Sequence, residues 1–218
     1  DFAYNQVTQW IDMPNLIDYY CAQIYCANTD WPSNNIKFWR AKKEGSKWRW
    51  FIHDTDLGFG FAPIWKHPGG VDHNTMAFVL NEKQTKHHNH PWSTFLIRNL
   101  FKNEDFKSEF LSKLSFHLEN TFNTERVINQ IDSLCKKIEV EMPRHISRWA
   151  NEADYAIQNM EQWENNILKL KSFAEDRPNI LLQYVQEQFS LSNQDWLLIK
   201  EKNKINDTDR DLSRLDEI

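Results

Sequence analysis

Apolar side chains recur every three or four residues near the start of this chain. The stripe comprises Leu16, Ile17, Tyr20, Cys21, Ile24 and Tyr25. Such spacing predicts a helix with one face in the core. Asp12 is a suitable N-cap for this helix and Pro14 fits its first turn, so the start of the helix is predicted as well.

A different pattern follows this helix. Residues 36–40 and 47–52 are rich in aromatic and β-branched side chains, and the polar segment that joins them contains Gly45. This arrangement predicts a β-hairpin. Residues 63–91 carry few periodic apolar side chains and are predicted to form a long loop.

The remainder of the chain has the periodicity of helices. Four helices are predicted. The first follows Trp92, the second begins at the N-cap candidate Thr124, the third runs from about Ala153, and the last begins at Arg177–Pro178. Pro143 is expected to end or kink the second of them. We expect the apolar stripes to form core, including the stripe of Val127, Ile131, Leu134, Cys135 and Ile138. The predicted fold class is mainly α with one small hairpin (α+β).

Composition agrees with one compact domain. The 218 residues suffice for a sizeable core, and no apolar run approaches the length of a membrane-spanning helix. A net charge of −5 argues against a nucleic-acid surface. Cys21 and Cys26 are expected to be free, buried thiols. Because the sequence from Lys200 onward is highly charged, we expect a domain over residues 1–195 and a tail or linker over residues 196–218.

The candidate chemistry lies at the ends of the predicted hairpin. Asp30 precedes Asn35 by five residues, and Asp54 and Asp56 follow the second arm. A kinase-type site uses this order: the first Asp positions the attacking hydroxyl, and the Asn and a later Asp hold Mg²⁺ against the phosphates. Oxygen ligands suit that hard cation. Asp and Asn are also common turn residues, so an Asp-rich turn that binds nothing explains the spacing equally well.

Several segments resemble the CotH kinase family, the spore-coat protein H type of bacteria. The most specific block runs from Asn28-Thr29-Asp30-Trp31-Pro32 to Asp54-Thr55-Asp56-Leu57-Gly58-Phe59-Gly60. Residues 100–106 and 173–178 resemble later segments of the family, and the resemblance covers residues 10–190. It implies the C-terminal lobe of an atypical protein-kinase-like fold, with the hairpin at its active edge, and transfer of the ATP γ-phosphate to Ser or Thr of proteins.

The resemblance also implies roles for individual residues. Asp30 corresponds to the catalytic-loop Asp, and Asn35 corresponds to the metal-binding Asn. Asp54 corresponds to the Asp that opens the metal-binding segment, while Asp56 would be a second metal contact or a carboxylate that fixes the loop. The implied cofactors are ATP and Mg²⁺, and the implied partner is a protein that carries Ser or Thr. A cell-surface, secreted or spore-associated location is compatible with the family.

The sequence departs from the kinase pattern in two ways. Asn28-Thr29 replaces the His-Arg before the Asp, and Pro32 replaces a Lys that steadies the transferred phosphate. Lys37 or Arg40 could supply that charge, or both could lie on a solvated strand face. In addition, no phosphate-covering glycine loop and no strand Lys with its helix Glu precede the Asp loop. We therefore expect a catalytic lobe of a larger kinase, which alone binds ATP poorly and is inactive.

Two other function classes stay open. A carbohydrate-acting or carbohydrate-binding module would suit the Trp-rich composition and the carboxylates of Asp30 and Asp54, although Asn35 would then have no role. A pseudokinase-like scaffold would bind a partner without catalysis. A zinc site is suggested by His73, His87, His88 and His90, but no Cys lies nearby and the spacing fits no common zinc finger. We predict a solvated polar loop there.

Overall fold

The computed structural model describes residues 2–61, 69–83, 88–153 and 156–203. The described residues form a mainly helical α+β fold with a single antiparallel hairpin, as predicted. Its elements are α1 (Phe2–Trp10), α2 (Met13–Tyr25), β1 (Lys37–Trp39), β2 (Arg49–Phe51), α3 (Thr75–Leu80), α4 (Phe95–Leu100), α5 (Glu104–Glu119), α6 (Thr124–Ile138), a 3₁₀ turn (Glu139–Glu141), α7 (Met142–Trp149) and α8 (Met160–Phe189).

α2 is the central element of the core. Asp12 caps it by accepting a hydrogen bond from the backbone N–H of Asn15 (3.2 Å), which confirms the predicted N-cap. Leu16, Ile17 and Cys21 are completely buried. Because α2 packs against α5 on one side and β2 on another, its C-terminal end is a fixed starting point for the loop that follows.

The predicted hairpin is confirmed, and α2 holds it in place. Phe38 of β1 lies opposite Trp50 of β2. Asn15 bonds to Trp50 as a neighbouring strand would, because its Nδ2 donates to Trp50 O (3.1 Å) and its Oδ1 accepts from Trp50 N (2.7 Å). Trp50 packs into the core while Arg49 and Phe51 on either side are exposed. β2 is therefore held against α2, and β1 is held through its pairing with β2.

α8 runs unbroken from Met160 to Phe189, so the prediction that a helix begins at Arg177–Pro178 is wrong. A proline inside a helix lacks the N–H that would bond to the carbonyl four residues earlier. Here that carbonyl belongs to Ala174, and the hydroxyl of Thr124 donates to it (3.0 Å). Since α6 supplies the hydrogen bond that Pro178 removes, the helix continues through the proline.

Arg177 is completely buried and links α8 to the end of α2. Its Nη2 donates to Ile24 O (2.7 Å) and its Nε donates to Tyr25 O (3.0 Å). Its other N–H groups donate to Val71 O, His73 O and Thr75 Oγ1 at 2.8, 2.8 and 3.1 Å. All the donors of the guanidinium are thus paired. A cation at a helix C-terminus also complements the helix dipole, so Arg177 stabilises the end of α2.

Part of the region predicted as a long loop is helical. Within α3, Met76 and Val79 are completely buried. Asn74 caps this helix by accepting a hydrogen bond from Ala77 N (2.9 Å). α3 has only six residues, which is too short for apolar periodicity to reveal it. Residues 62–68 and 84–87 of the same region lie outside the described residues.

α6 differs from the prediction in its start and in its burial. Its N-cap is Asn123, which accepts from Arg126 N (3.3 Å), rather than Thr124. None of its side chains is fully buried, and Leu134 and Ile138 are 58% and 50% exposed, so the expected core stripe is covered only in part. Pro143 lies in the first turn of α7, after the 3₁₀ turn that ends α6, which confirms the predicted break.

The packed structure continues past α8. Residues 193–203 are helical, and Trp196 belongs to the core. Lys200 forms an ion pair with Glu119 of α5 (2.5 Å). The domain boundary expected after residue 195 therefore falls inside a packed helical segment.

Two expectations from composition can be compared with the structure. Cys21 and Cys26 are free and buried, as predicted. Among the helices described here, none is both long enough and apolar enough to cross a lipid bilayer.

Candidate active site

The site begins where α2 ends. Ala27 has a φ of +53°, a left-handed conformation that turns the chain out of the helix. The buried side chain of Asn28 then bridges this turn: its Nδ2 donates to Gln23 Oε1 (2.9 Å), and its Oδ1 accepts from Asp30 N (3.1 Å). Buried polar groups with satisfied hydrogen bonds fix local geometry. The turn after α2 therefore has a fixed conformation, and it places Asp30 in a defined position relative to the helix.

The carboxylate of Asp30 is surrounded by N–H donors. Its Oδ1 accepts from Asn34 Nδ2 (3.0 Å) and lies 3.1 Å from His88 Nε2. Its Oδ2 accepts from Asn34 Nδ2 (3.0 Å) and from Asn35 Nδ2 (2.8 Å). The side chain is 17% exposed. These donors hold the carboxylate in one orientation and leave it accessible from solvent.

The amide of Asn35 offers two different groups. Its φ of +49° is a left-handed conformation, which Asn adopts more readily than most residues. Its Nδ2 donates to Asp30, and the Oδ1 at the other end of the amide is an acceptor and a potential cation ligand. Asn35 can therefore orient Asp30 with one end of its side chain and bind a cation with the other.

A second loop, residues 54–60, follows β2 and is hydrogen-bonded to the first. Thr29 donates through its backbone N and its Oγ1 to Leu57 O, at 3.4 and 3.3 Å. Asn28 Nδ2 lies 3.4 Å from Asp54 O. The residues that flank Asp30 thus also hold the second loop, so the two candidate halves of the site are parts of one hydrogen-bonded unit.

The close approach of the two loops requires a glycine. Phe59 N donates to Cys26 O at 2.6 Å. A Cβ added at Gly58 would lie 2.8 Å from the same carbonyl oxygen and 3.0 Å from Thr55 O. Any other residue at position 58 would push the second loop away from the end of α2.

Asp54 and Asp56 are exposed and in contact with each other. Burial, followed by the hydrogen bond and the negative charge of Asp54, raises the pKa of Asp56 above its usual value. Two adjacent carboxylates disfavour full ionisation, and a divalent cation would remove that penalty. Carboxylate and amide oxygens are the protein ligands that Mg²⁺ prefers, so the chemistry of Asn35, Asp54 and Asp56 fits this ion.

Acidic and histidine side chains alone do not make a metal site here. Across the part of the chain that the structure describes, no group of three or more His, Cys, Asp or Glu side chains could hold a metal ion. Mg²⁺ commonly binds one or two protein carboxylates and completes its shell with waters and substrate phosphates. The amide of Asn35 and a phosphate ligand would thus be needed beside Asp54.

A cavity of about 560 Å³ lies beside the second loop. It is lined by Thr55, Asp56, Gly58, Phe59, Gly60 and Phe61, and by Asn166, Lys169 and Leu170 of α8. Its volume is within the range of small-molecule sites. Lys169 provides a basic side chain in the same cavity as the carboxylate of Asp56.

A model of the family described as CotH kinase protein matches residues 2–181 of the 218-residue chain. The chain belongs to the CotH kinase family. No curated protein and no solved structure matches it. The matched region contains both loops of the site and Arg177, which anchors the end of α2.

In this CotH kinase chain, the residues predicted from sequence occur as two contacting pairs. Asp30 bonds to Asn35, and Asp54 contacts Asp56. Asn28 connects the pairs, because it bonds to Asp30 N and approaches Asp54 O. The assignment of Asp30 to catalysis and of the other predicted residues to metal binding stays a prediction.

Sequence reasoning missed His88, which the structure places on Asp30. His73 is partly buried: its ring centroid lies 5.2 Å from that of Phe78 and its Nε2 is buried. The prediction of a solvated polar loop is therefore wrong for His73, whereas the His88 side chain stays 38% exposed while it contacts Asp30. No sequence signal links His88 to Asp30, because the contact joins segments far apart in the chain. His87 lies outside the described residues.

The two basic residues considered for phosphate binding differ in environment. The guanidinium of Arg40 lies over the rings of Trp48 and Trp10, at 5.1 and 5.9 Å. Lys37 is exposed on β1. Arg40 thus stabilises the packing of the hairpin against α1, whereas Lys37 lies on a solvated strand face, one of the two positions considered for it from sequence.

Proposed function

We propose that this chain is the catalytic lobe of an atypical protein kinase that transfers the γ-phosphate of ATP to Ser or Thr of a protein, with Mg²⁺ as cofactor. Membership of the CotH kinase family supports phosphoryl transfer. The observation that carries the assignment to this site is the amide of Asn35, whose Nδ2 bonds to Asp30. The arrangement leaves its oxygen for a cation.

Asp30 would act on the acceptor hydroxyl. It orients the hydroxyl and takes its proton as the hydroxyl oxygen bonds to the γ-phosphorus. The bond between that phosphorus and the bridging oxygen breaks, and its electron pair leaves with ADP. In phosphoryl transfer most of the rate enhancement comes from positioning and electrostatic stabilisation. The donors around Asp30 suit that task, because they fix the carboxylate before the substrate binds.

Asn35 and Asp54 would hold the cation, and Asp56 would add a ligand or fix the loop. When bound, Mg²⁺ neutralises charge on the phosphates. Lys169, in the cavity beside Asp56, offers a second positive charge for a phosphate oxygen. The contact between Asp54 and Asp56 supports cation binding, since it concentrates negative charge on an exposed loop.

The test compares phosphate transfer by the full-length protein and by Asp30→Ala, with labelled ATP, Mg²⁺ and casein as acceptor. We expect loss of about 10²-fold or more, because a positioned catalytic group is removed. The control is Asp132→Asn, which changes an exposed Asp on α6 and should retain transfer. Equal melting temperatures for Asp30→Ala and wild type would exclude unfolding as the cause.

Other outcomes would point to other functions. Full transfer by Asp30→Ala would remove this residue from the mechanism. ATP binding without transfer by the wild-type protein would favour a pseudokinase-like scaffold. Absence of both ATP binding and transfer in the wild-type protein would overturn the proposal.

A further inference from the structure

His88 reaches the Asp30 loop from a distant part of the chain and contacts it twice. Its Nε2 lies 3.1 Å from Asp30 Oδ1, and its backbone carbonyl accepts a hydrogen bond from Ser33 N (2.7 Å). The side chain is 38% exposed and the backbone has a φ of +65°. A side-chain contact and a backbone contact together fix both the position and the direction of the imidazole.

The residue after His88 anchors this segment from the other side. Asn89 is completely buried, and its Nδ2 donates to Phe78 O of α3 (2.8 Å). The peptide that carries the imidazole is therefore held between α3 and the Asp30 loop. Ion pairs on a protein surface commonly form between flexible side chains and need no such backbone anchors. The two anchors therefore distinguish the contact between His88 and Asp30 from an ordinary surface ion pair.

The donors on Asp30 differ in their origin. Asn34 and Asn35 belong to the same loop as Asp30 and would move with it. His88 belongs to a separate segment that is anchored to α3, so its contact fixes the position of the carboxylate relative to the rest of the domain. Asn34 is exposed and touches both carboxylate oxygens, so its displacement by a substrate hydroxyl would free acceptor sites on Asp30. His88 and Asn35 would remain to hold one oxygen each.

We infer that His88 is a positioning residue for Asp30: its Nε2–H donates to Oδ1 and fixes the carboxylate while the other oxygen receives the proton of the substrate hydroxyl. The inference rests on the proposed kinase function for its catalytic consequence. The hydrogen bond itself does not depend on that function. Gln at position 88 could replace this hydrogen bond, because its side-chain NH₂ can donate to the carboxylate as the imidazole Nε2–H does.

The kinetic test compares wild type, His88→Ala, His88→Gln and Asn34→Ala in the full-length protein. His88→Ala should lower kcat about 10-fold to 100-fold with little change in KM for ATP, as expected for loss of a hydrogen bond to a charged group. His88→Gln should recover most of this loss, and Asn34→Ala should lower kcat less than His88→Ala. Added imidazole should partly restore His88→Ala, which a purely structural defect would not allow.

A second measurement is independent of catalysis. Long-range ¹H–¹⁵N NMR spectra of the wild-type protein should show His88 with its proton on Nε2, and Asp30→Ala should shift that nitrogen. An unchanged Nε2 signal, or a kcat of His88→Ala equal to that of wild type, would overturn the inference. Inactive wild-type protein with the expected NMR shift would overturn the proposed kinase function and retain the His88–Asp30 contact.

Discussion

The two loops of the site carry the same kind of side chain in opposite environments. Asp30 is 17% exposed and accepts hydrogen bonds from neighbouring side-chain amides. Asp54 and Asp56 are exposed and face each other's charge. The difference shows that the first loop is organised by the protein alone, while the second carries negative charge that a cation could compensate.

The two loops differ in the way that two requirements of the proposed phosphoryl transfer differ. A group that orients a hydroxyl must be fixed in advance, because positioning supplies much of the rate. A cation site must stay open to waters and phosphates, since Mg²⁺ keeps several such ligands. The hydrogen bonds among Asn28, Thr29 and the second loop hold the two loops together as one unit, as the proposed function requires.

The largest effect should come from Asp30 itself. Asp30→Ala should reduce transfer about 10² to 10⁴-fold in the full-length protein, whereas Asp54→Asn should chiefly raise the Mg²⁺ concentration needed for half-maximal transfer. Initial rates over a Mg²⁺ titration distinguish the two. If excess Mg²⁺ restored Asp30→Ala, the division of roles between the loops would be wrong.

Arg177→Met should destabilise the protein by about 3 kcal/mol or more, because it leaves buried carbonyls at the end of α2 without their donors. Urea unfolding followed by circular dichroism measures this loss. Hydrogen exchange distinguishes the two loops: amides of residues 26–30 should lose more protection than amides of residues 54–60. Equal loss in both loops would mean that Arg177 supports the whole site rather than the Asp30 side.

Acidification should lower the stability of the fold through His73, whose backbone carbonyl accepts a hydrogen bond from Arg177. Burial, followed by the positive charge of Arg177, lowers the pKa of His73 to about 4, while Asp72 acts in the opposite direction. Between pH 6.5 and about 4 the unfolded chain therefore binds a proton that the folded chain does not, and stability falls as pH falls through this window. The loss should reach roughly 2–3 kcal/mol.

His73→Phe isolates this contribution, because Phe fills the space beside Phe78 and does not titrate. Urea unfolding at several pH values should give a flatter stability curve for the variant than for wild type. Parallel curves from pH 7 to pH 4 would show that His73 is not the group responsible.

The smallest effect concerns the repulsion in the second loop. In EDTA, Asp56→Asn should melt at the same temperature as wild type or slightly higher, because it removes a like charge beside Asp54. In Mg²⁺ with ATP, wild type should gain more thermal stability than the variant. Glu44→Gln, an exposed change in the hairpin turn, serves as the control. A clear drop in the melting temperature of Asp56→Asn in EDTA would mean that its carboxylate stabilises the loop.

Local patterns in the sequence were sufficient to predict α2, its cap and the hairpin. Asp12, the apolar stripe of α2 and Gly45 act on neighbours within a few residues, so their effects are visible along the chain. Asp30 and Asn35 lie five residues apart in one loop, so the hydrogen bond between them is also a local contact.

What could not be predicted depends on partners distant in sequence. The helix through Pro178 needs the Thr124 hydroxyl, and the orientation of Asp30 needs His88. α3 was missed because a helix of six residues gives little periodicity. For Pro178 and Asp30 the missing information is a tertiary hydrogen bond or contact, which apolar spacing does not encode.

The position of Arg177 has a consequence for how the protein is made. The guanidinium bonds to Tyr25 O across 152 residues of sequence and to Ile24 O across 153. During synthesis from the N-terminus, the ribosome releases α2 and both site loops long before it releases Arg177. A nascent chain would therefore display Asp30 on a helix end whose carbonyls have no partner from α8. Nearly the whole domain must leave the ribosome before the site acquires its final support, so chains truncated before residue 177 should lack an ordered site.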